Sequence, residues 1–97
     1  MNKNNGHFDQ EAVKTDIKEF ILDNFLPGED LKNLKGDDLL FESGIIDSMG
    51  AITLIAFLEH HFDIRILDEE LFPENFASID RICKLIVKKL GQINIPK

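Results

Sequence analysis

The chain has 97 residues, with 18 acidic and 11 basic side chains and a net charge of -7 at neutral pH. This length allows one domain with a modest core, and the negative charge disfavours nucleic acid as a partner. A single cysteine, Cys83, excludes an internal disulfide and a cysteine-based metal site. No apolar run reaches the roughly 18 residues of a membrane span, and no apolar signal core opens the chain, so we expect a cytoplasmic protein.

The first helix is expected to begin near Asp9 and end near Phe25, because apolar residues recur there at helical spacing. Pro27 and Gly28 follow and end the pattern. Residues 1–8 and 92–97 are the chain ends, and we expect them to be flexible. The folded domain is therefore predicted to span residues 9–91.

A long connection, residues 27–47, follows the first helix. It contains three glycines, and its apolar residues can hold it against the core. A connection of this length is unusual in so small a domain and often has a function. One helical turn is expected around residues 37–40. The apolar anchors are Leu31, Leu34, Leu39, Leu40 and Phe41.

The second helix is expected from about Ser48 to His61, with Asp47 or Ser48 as its N-cap. Its sequence is almost continuously apolar from Met49 to Leu58, which is more than one buried face requires. A chain of this size has little room to bury a helix on two faces, so one apolar face is predicted to meet a partner. The core face comprises Leu54, Ile55, Leu58 and Phe62. The partner face comprises Met49, Ile52 and Ala56.

Two further helices complete the predicted fold. A short one is expected over residues 68–72, before Pro73, and the last is expected to start at Ser78 and stop at Gly91. The fold class is therefore all-α, a small four-helix bundle with a long first loop and a short third helix. The inner face of the last helix comprises Ile79, Ile82, Cys83, Ile86 and Leu90.

The stretch Gly-Ile-Ile-Asp-Ser-Met-Gly, residues 44–50, places a serine hydroxyl at the mouth of the apolar second helix. The free amides and the dipole of a helix start favour a phosphate group. A phosphate ester at Ser48 would therefore be stabilised there. On position alone, however, a serine that opens a helix is more often a simple N-cap.

The same stretch resembles the attachment motif of acyl and peptidyl carrier proteins. The resemblance continues through residues 40–44 and 57–70 and covers roughly residues 9–90. It implies a fold of the acyl-carrier type and a protein that is not an enzyme. In that family a phosphopantetheinyl transferase esterifies the serine, here Ser48, with 4′-phosphopantetheine from coenzyme A. The thiol of this arm then holds an acyl or aminoacyl group as a thioester.

The resemblance also implies roles for the neighbouring residues. Asp47 would help to present Ser48 to the transferase, and Met49, Ile52 and Ala56 would dock partner enzymes. The implied partners are the transferase, a loading ligase for the acyl or aminoacyl group, and the enzymes that use it. A monomer is expected, because successive partners need the same free helix surface.

Two departures narrow the resemblance. Fatty-acid carriers usually have one residue between the glycine and the Asp-Ser pair, whereas this chain has Ile45 and Ile46. They also have acidic residues early in the second helix, where this chain has Gly50 and Thr53. The pattern looks more like D-alanyl carrier proteins and the stand-alone carriers of specialised biosynthetic pathways.

Other functions remain open at this point. The chain could be a helical interaction module without a prosthetic group, docking through Met49, Ile52 and Ala56. A hydrolase with Ser48 as its nucleophile would need a nearby base, and His60 and His61 lie about 18 Å along the same helix. The adjacent histidines lack the spacing of a metal site. Cys83 is expected to be a small buried hydrophobic residue.

Overall fold

The computed structural model describes residues 9–93, with side chains described for residues 9–91. Three α-helices make up the fold: α1 (Gln10–Phe25), α2 (Ser48–Phe62) and α3 (Ile79–Ile93). Short 3-10 turns lie between them at Leu31–Asn33, Asp68–Glu70 and Pro73–Phe76. Of the flexible ends expected at residues 1–8 and 92–97, residues 1–8 and 94–97 lie outside the described residues, and the expectation stays a prediction.

The ends of the helices follow mostly from capping residues. Asp9 caps α1 by accepting a hydrogen bond from the Glu11 N–H at 3.0 Å, and Ser78 Oγ accepts the Arg81 N–H at 3.3 Å at the start of α3. The stop expected at Gly91 is wrong, since α3 continues to Ile93. Gly91 is not in the left-handed conformation that ends a helix.

The expected short third helix is also wrong in detail. Residues 68–76 form two 3-10 turns, so the described residues contain three α-helices and no strand. Only five residues of the expected helix, 68–72, precede Pro73, which has no N–H to donate, and so short a segment gains little from α-helical hydrogen bonds. The Glu70 carbonyl instead accepts a hydrogen bond from the Asn75 side chain at 2.8 Å. The all-α class is confirmed, and the count of four helices is replaced by three helices with 3-10 turns.

The core lies between α1 and α3, and α2 packs across both. The inner face predicted for α3 is buried throughout, and so are Leu54 and Leu58 of α2. Ile55 and Phe62, also expected to face the core, are half-buried. One cation, Lys89, lies within this packing and pairs with Glu70 at 2.7 Å. The pair holds the 3-10 segment against α3.

The long connection is packed down by some of its predicted apolar anchors. Leu34 and Leu40 are buried and Phe41 is half-buried. The expectation is wrong for Leu31 and Leu39, whose side chains are exposed.

The Leu40 N–H donates to the Ala77 carbonyl at 2.9 Å, and the Asp80 N–H donates to the Gly36 carbonyl at 2.9 Å. The helical turn expected around residues 37–40 lies later in the chain, at residues 39–43, where the Ser43 N–H donates to the Leu39 carbonyl at 3.0 Å. A separate tight turn lies at residues 35–38, where the Asp38 carboxylate accepts the Lys35 N–H at 2.8 Å. No described helix is long and apolar enough to span a membrane.

Candidate functional site

Asp47, rather than Ser48, caps α2. Its Oδ1 accepts the Gly50 N–H at 2.8 Å, and its carbonyl accepts the Ala51 N–H at 2.9 Å. Ser48 is therefore the first residue inside the helix, and it is exposed. Within residues 9–91 its hydroxyl makes no hydrogen bond. The simple N-cap role considered for Ser48 belongs to its neighbour, which leaves the serine hydroxyl available for chemistry.

The surroundings of the hydroxyl fit a phosphate ester. The N–H groups of Ser48 and Met49 have no acceptor among the described residues, and they belong to the first turn of α2. Such free amides and the helix dipole favour negative charge at this end. The Asp47 carboxylate is turned to the Gly50 N–H, so one of its oxygens is already hydrogen-bonded.

A left-handed glycine directs the chain into this site. Gly44 has a φ of +85°, a conformation that costs other residues free energy. After it, the Ile46 N–H donates to the Leu40 carbonyl at 3.0 Å, and the Ile46 side chain is 1% exposed. Ile45, the other residue of the unusual pair, is half-buried. The two isoleucines thus anchor the loop just before Asp47.

The first turn of α2 rests on the end of α1 through Gly50. This glycine is buried, and a Cβ atom added to it would lie 2.7 Å from Phe25 Cε1 and 3.0 Å from Ile46 Cγ2. Sequence reasoning missed the part played by Phe25. The signal that could have revealed it was a glycine inside a helix, where glycine lowers stability unless close packing requires it.

The second apolar face of α2 points to solvent, as its spacing predicted. The Met49 side chain is 73% exposed and that of Ile52 is 66% exposed, and Ala56 is exposed as well. These residues continue from the turn that carries Ser48. Large apolar side chains exposed together on one helix face are typical of an interaction surface. Their role in docking stays a prediction.

An apolar cleft of about 330 Å³ opens on the other side of α2. It starts at Ala51, one helical turn beyond Ser48, and extends to Phe72 in the 3-10 segment. All of its lining side chains are apolar, so it offers no side-chain partner to a charged ligand. The lining residues are Phe41, Ala51, Leu54, Ile55, Leu71, Phe72, Pro73 and Phe76.

The remaining reactive side chains have structural contacts. His61 Nε2 in α2 lies 3.1 Å from Asp16 Oδ2 in α1, so this contact joins the two helices. The His61 ring also stacks on Phe57, with ring centroids 4.8 Å apart. Within the part of the chain that the structure describes, no three metal-ligating side chains come together. Cys83 is buried with its Sγ 3.6 Å from the Gln10 carbonyl, and burial raises the pKa of its thiol.

Comparison with known proteins agrees with this geometry. Residues 26–86 match the family described as "Phosphopantetheine attachment site". The chain is 34% identical over 70 residues to a D-alanyl carrier protein of Streptococcus sanguinis (strain SK36), covering 72% of this chain and 85% of the relative. It is 32% identical over 76 residues to a D-alanyl carrier protein of Streptococcus mutans serotype c, and this match covers 78% of this chain and 92% of the relative.

A solved structure shares the fold. The structure described as KstB-PCP (apo) is 34% identical in sequence to this chain and has a TM-score of 0.71. The match covers 82% of this chain and 88% of the solved one. The sequence match to the family includes the whole of α2 and the loop before it.

Carrier proteins of this family are not catalysts. They receive their prosthetic group from a phosphopantetheinyl transferase and exchange cargo with ligases and acyl-using enzymes. The resemblance to D-alanyl carriers is confirmed by the relatives found. This chain belongs to the phosphopantetheine-binding carrier proteins, and it holds an acyl or aminoacyl group as a thioester on a covalent 4′-phosphopantetheine arm.

Proposed function

We propose that Ser48 is the residue that carries the arm. The observation that carries this proposal is the division of roles at the start of α2. Asp47 satisfies the Gly50 N–H, while the exposed Ser48 hydroxyl has no hydrogen bond among the described residues. A serine needed as a cap would lose that function on esterification, and Ser48 would not.

The attachment step balances as a transfer between oxygens. The Ser48 Oγ–P bond forms as the phosphoanhydride bond of coenzyme A breaks, and adenosine 3′,5′-bisphosphate leaves. The hydroxyl proton passes to a base, which we assign to the transferase, since no described histidine lies at the start of α2 and Oδ1 of Asp47 is already bonded to the Gly50 N–H. The arm, once attached, provides the thiol that forms the thioester. Asp47 keeps the first turn formed throughout, through its hydrogen bond to Gly50.

The exposed face of α2 supports a role in docking. Met49 and Ile52 lie beside the attachment point and Ala56 follows on the same face, so an enzyme that reaches the arm would contact them. The partners proposed are a phosphopantetheinyl transferase, a loading ligase and acyl-using enzymes. The working form is a cytoplasmic monomer with residues 9–91 as its carrier domain, since a dimer that covered α2 would block each exchange.

Two candidate cargoes are proposed, and each is supported by a different observation. The relatives named D-alanyl carrier proteins favour a small aminoacyl group. The apolar cleft beside α2 favours a short acyl chain, because its lining has no polar side chain for an ammonium group. With either cargo, the proposed setting is a specialised biosynthetic pathway, which is supported by the departures from fatty-acid carriers at Ile45, Ile46 and Gly50.

Intact-mass spectrometry tests the attachment. The protein is incubated with coenzyme A, Mg²⁺ and a broad-specificity phosphopantetheinyl transferase, beside Ser48→Ala and the matched control Ser43→Ala. Ser43 is an exposed serine in the preceding loop. We expect one phosphopantetheine on the wild type and on Ser43→Ala, and none on Ser48→Ala. Modification of Ser48→Ala would refute the assignment.

The same experiment tests the second candidate function. A helical interaction module without a prosthetic group is favoured by the exposed Met49 and Ile52 side chains alone. For such a module, folded wild-type protein would gain no mass, and Ser48→Ala would keep full function.

A further inference from the structure

We infer that Gly50 and Phe25 form a positioning contact that sets where the first turn of α2, and with it Ser48, stands for the transferase. The inference rests on the proposed attachment at Ser48. It concerns a glycine inside a helix and an aromatic ring 25 residues earlier in the chain, neither of which would touch the arm.

The contact leaves no room for a side chain. A Cβ atom on Gly50 would lie 2.7 Å from Phe25 Cε1 and 3.2 Å from Phe25 Cζ, and 3.0 Å from Ile46 Cγ2. Real Cβ atoms almost never approach a carbon of a ring so closely, so an added methyl group must displace either the ring or the helix turn. Helix propensity favours alanine over glycine here, and only the packing opposes it.

The Phe25 ring belongs to a row of packed rings. Phe25 meets Phe20 edge to face, with ring centroids 6.1 Å apart, and Phe20 stacks on Phe57 at 4.0 Å. Phe57 belongs to α2, so a shift of the Phe25 ring toward Phe20 would disturb the packing of α1 on α2. Ile46 is equally fixed, because it is 1% exposed and its N–H is bonded to the Leu40 carbonyl.

The first turn of α2 is the part that can yield. It lies at a helix end, and within the described residues its capping hydrogen bond, from the Gly50 N–H to Asp47, joins two residues of the site itself. A displacement of Gly50 therefore moves Asp47 and Ser48 together. Accurate placement of a reacting group matters because small misplacements lower a rate strongly.

The test is the rate of phosphopantetheinylation of Gly50→Ala, measured at a temperature where circular dichroism shows every variant folded. We expect kcat to fall at least tenfold, with KM for the carrier within threefold, because two of the three proposed docking residues, Ile52 and Ala56, lie beyond the first turn and only Met49 lies within it. The matched control is Gly91→Ala in α3, where an added Cβ meets nothing within 4 Å. It should keep the wild-type rate.

A second substitution tests the contact itself. Phe25→Leu removes the Cε1 and Cζ atoms that an added methyl group would strike. When Phe25→Leu is already present, adding Gly50→Ala should therefore lower kcat less than threefold relative to Phe25→Leu alone. The loss that remains is due to the contact with Ile46. This comparison also serves if Gly50→Ala alone does not fold. A tenfold loss in that background overturns the inference, as does a wild-type rate for Gly50→Ala.

These outcomes are distinct from a failure of the proposed function. If the wild-type chain gains no phosphopantetheine, or gains it at a residue other than Ser48, the proposed function fails. If wild type is modified at Ser48 and Gly50→Ala matches it in kcat, only the positioning contact fails.

Discussion

Replacing Asp47 should separate its structural role from its role toward the transferase. Asp47→Ala removes the acceptor of the Gly50 N–H, which now lies at 2.8 Å. Loss of an N-cap costs about 0.5–2 kcal/mol of stability. Because Gly50 is buried, water replaces the carboxylate poorly, and we expect about 1.5 kcal/mol. For a domain of this size that lowers Tm by roughly 6–12 °C.

Asp47→Asn is the matched control. An asparagine caps as well as an aspartate, and it removes only the favourable charge at the helix start, worth about 0.3–1 kcal/mol. Its Tm should therefore fall less than that of Asp47→Ala. If the Asp47 carboxylate helps to present Ser48, both variants should lose about tenfold in kcat/KM of phosphopantetheinylation, equivalent to ~1.4 kcal/mol.

Thermal unfolding followed by circular dichroism and a mass-based rate assay give the two readouts. A Tm for Asp47→Ala equal to that of wild type would refute the capping argument. Wild-type kcat/KM for Asp47→Asn would show that the hydrogen bond, rather than the charge, is what the transferase requires.

Three further predictions concern the rest of the fold. Gly44→Ala should lower stability by about 1–2 kcal/mol in urea unfolding, since Gly44 is left-handed; a cost below 0.5 kcal/mol would contradict this. Burial raises the pKa of Glu70, but its hydrogen bonds to Lys89 and to a backbone N–H, with the lysine charge, lower it overall. The pair then stabilises the fold at pH values above the ordinary Glu pKa of about 4.3. This stabilisation is lost as the pH falls from there through the lowered pKa of Glu70 in the folded protein. Glu70→Gln should accordingly have a lower Tm than wild type at pH 7, and this difference in Tm should become smaller in acid. A difference in Tm that does not change with pH would be evidence against a stabilising Glu70–Lys89 pair. Because burial raises the pKa of the Cys83 thiol, iodoacetamide at pH 8 should label the folded holo-protein quickly on the arm alone, and equally fast labelling of Cys83 would show that it is accessible.

Local sequence was enough to predict the helices and the position of Ser48. The spacing of apolar residues gave the start of α1, and Ser78 as an N-cap gave the start of α3. The excess of apolar residues in α2 gave the exposed face at Met49 and Ile52. These features depend on residues within one or two helical turns of each other, which is why a sequence pattern contains them.

The features that sequence missed depend on distant contacts. The 3-10 segment at residues 68–76 is held by Lys89, 19 residues beyond Glu70, and Gly50 is explained by the ring of Phe25. Gly91 was misjudged because a glycine late in a helix pattern was interpreted as the helix end, whereas its backbone is not left-handed and α3 continues to Ile93.

The hydrogen bonds between the long loop and α3 have a consequence for the order of events during synthesis. The loop that leads to Ser48 is held by the Ala77 carbonyl and the Asp80 N–H, which are translated about thirty residues after the serine. A nascent chain on the ribosome thus contains Ser48 well before it contains the residues that hold the loop in place. Attachment of the arm should accordingly follow the emergence of α3 and so mark chains that have finished folding.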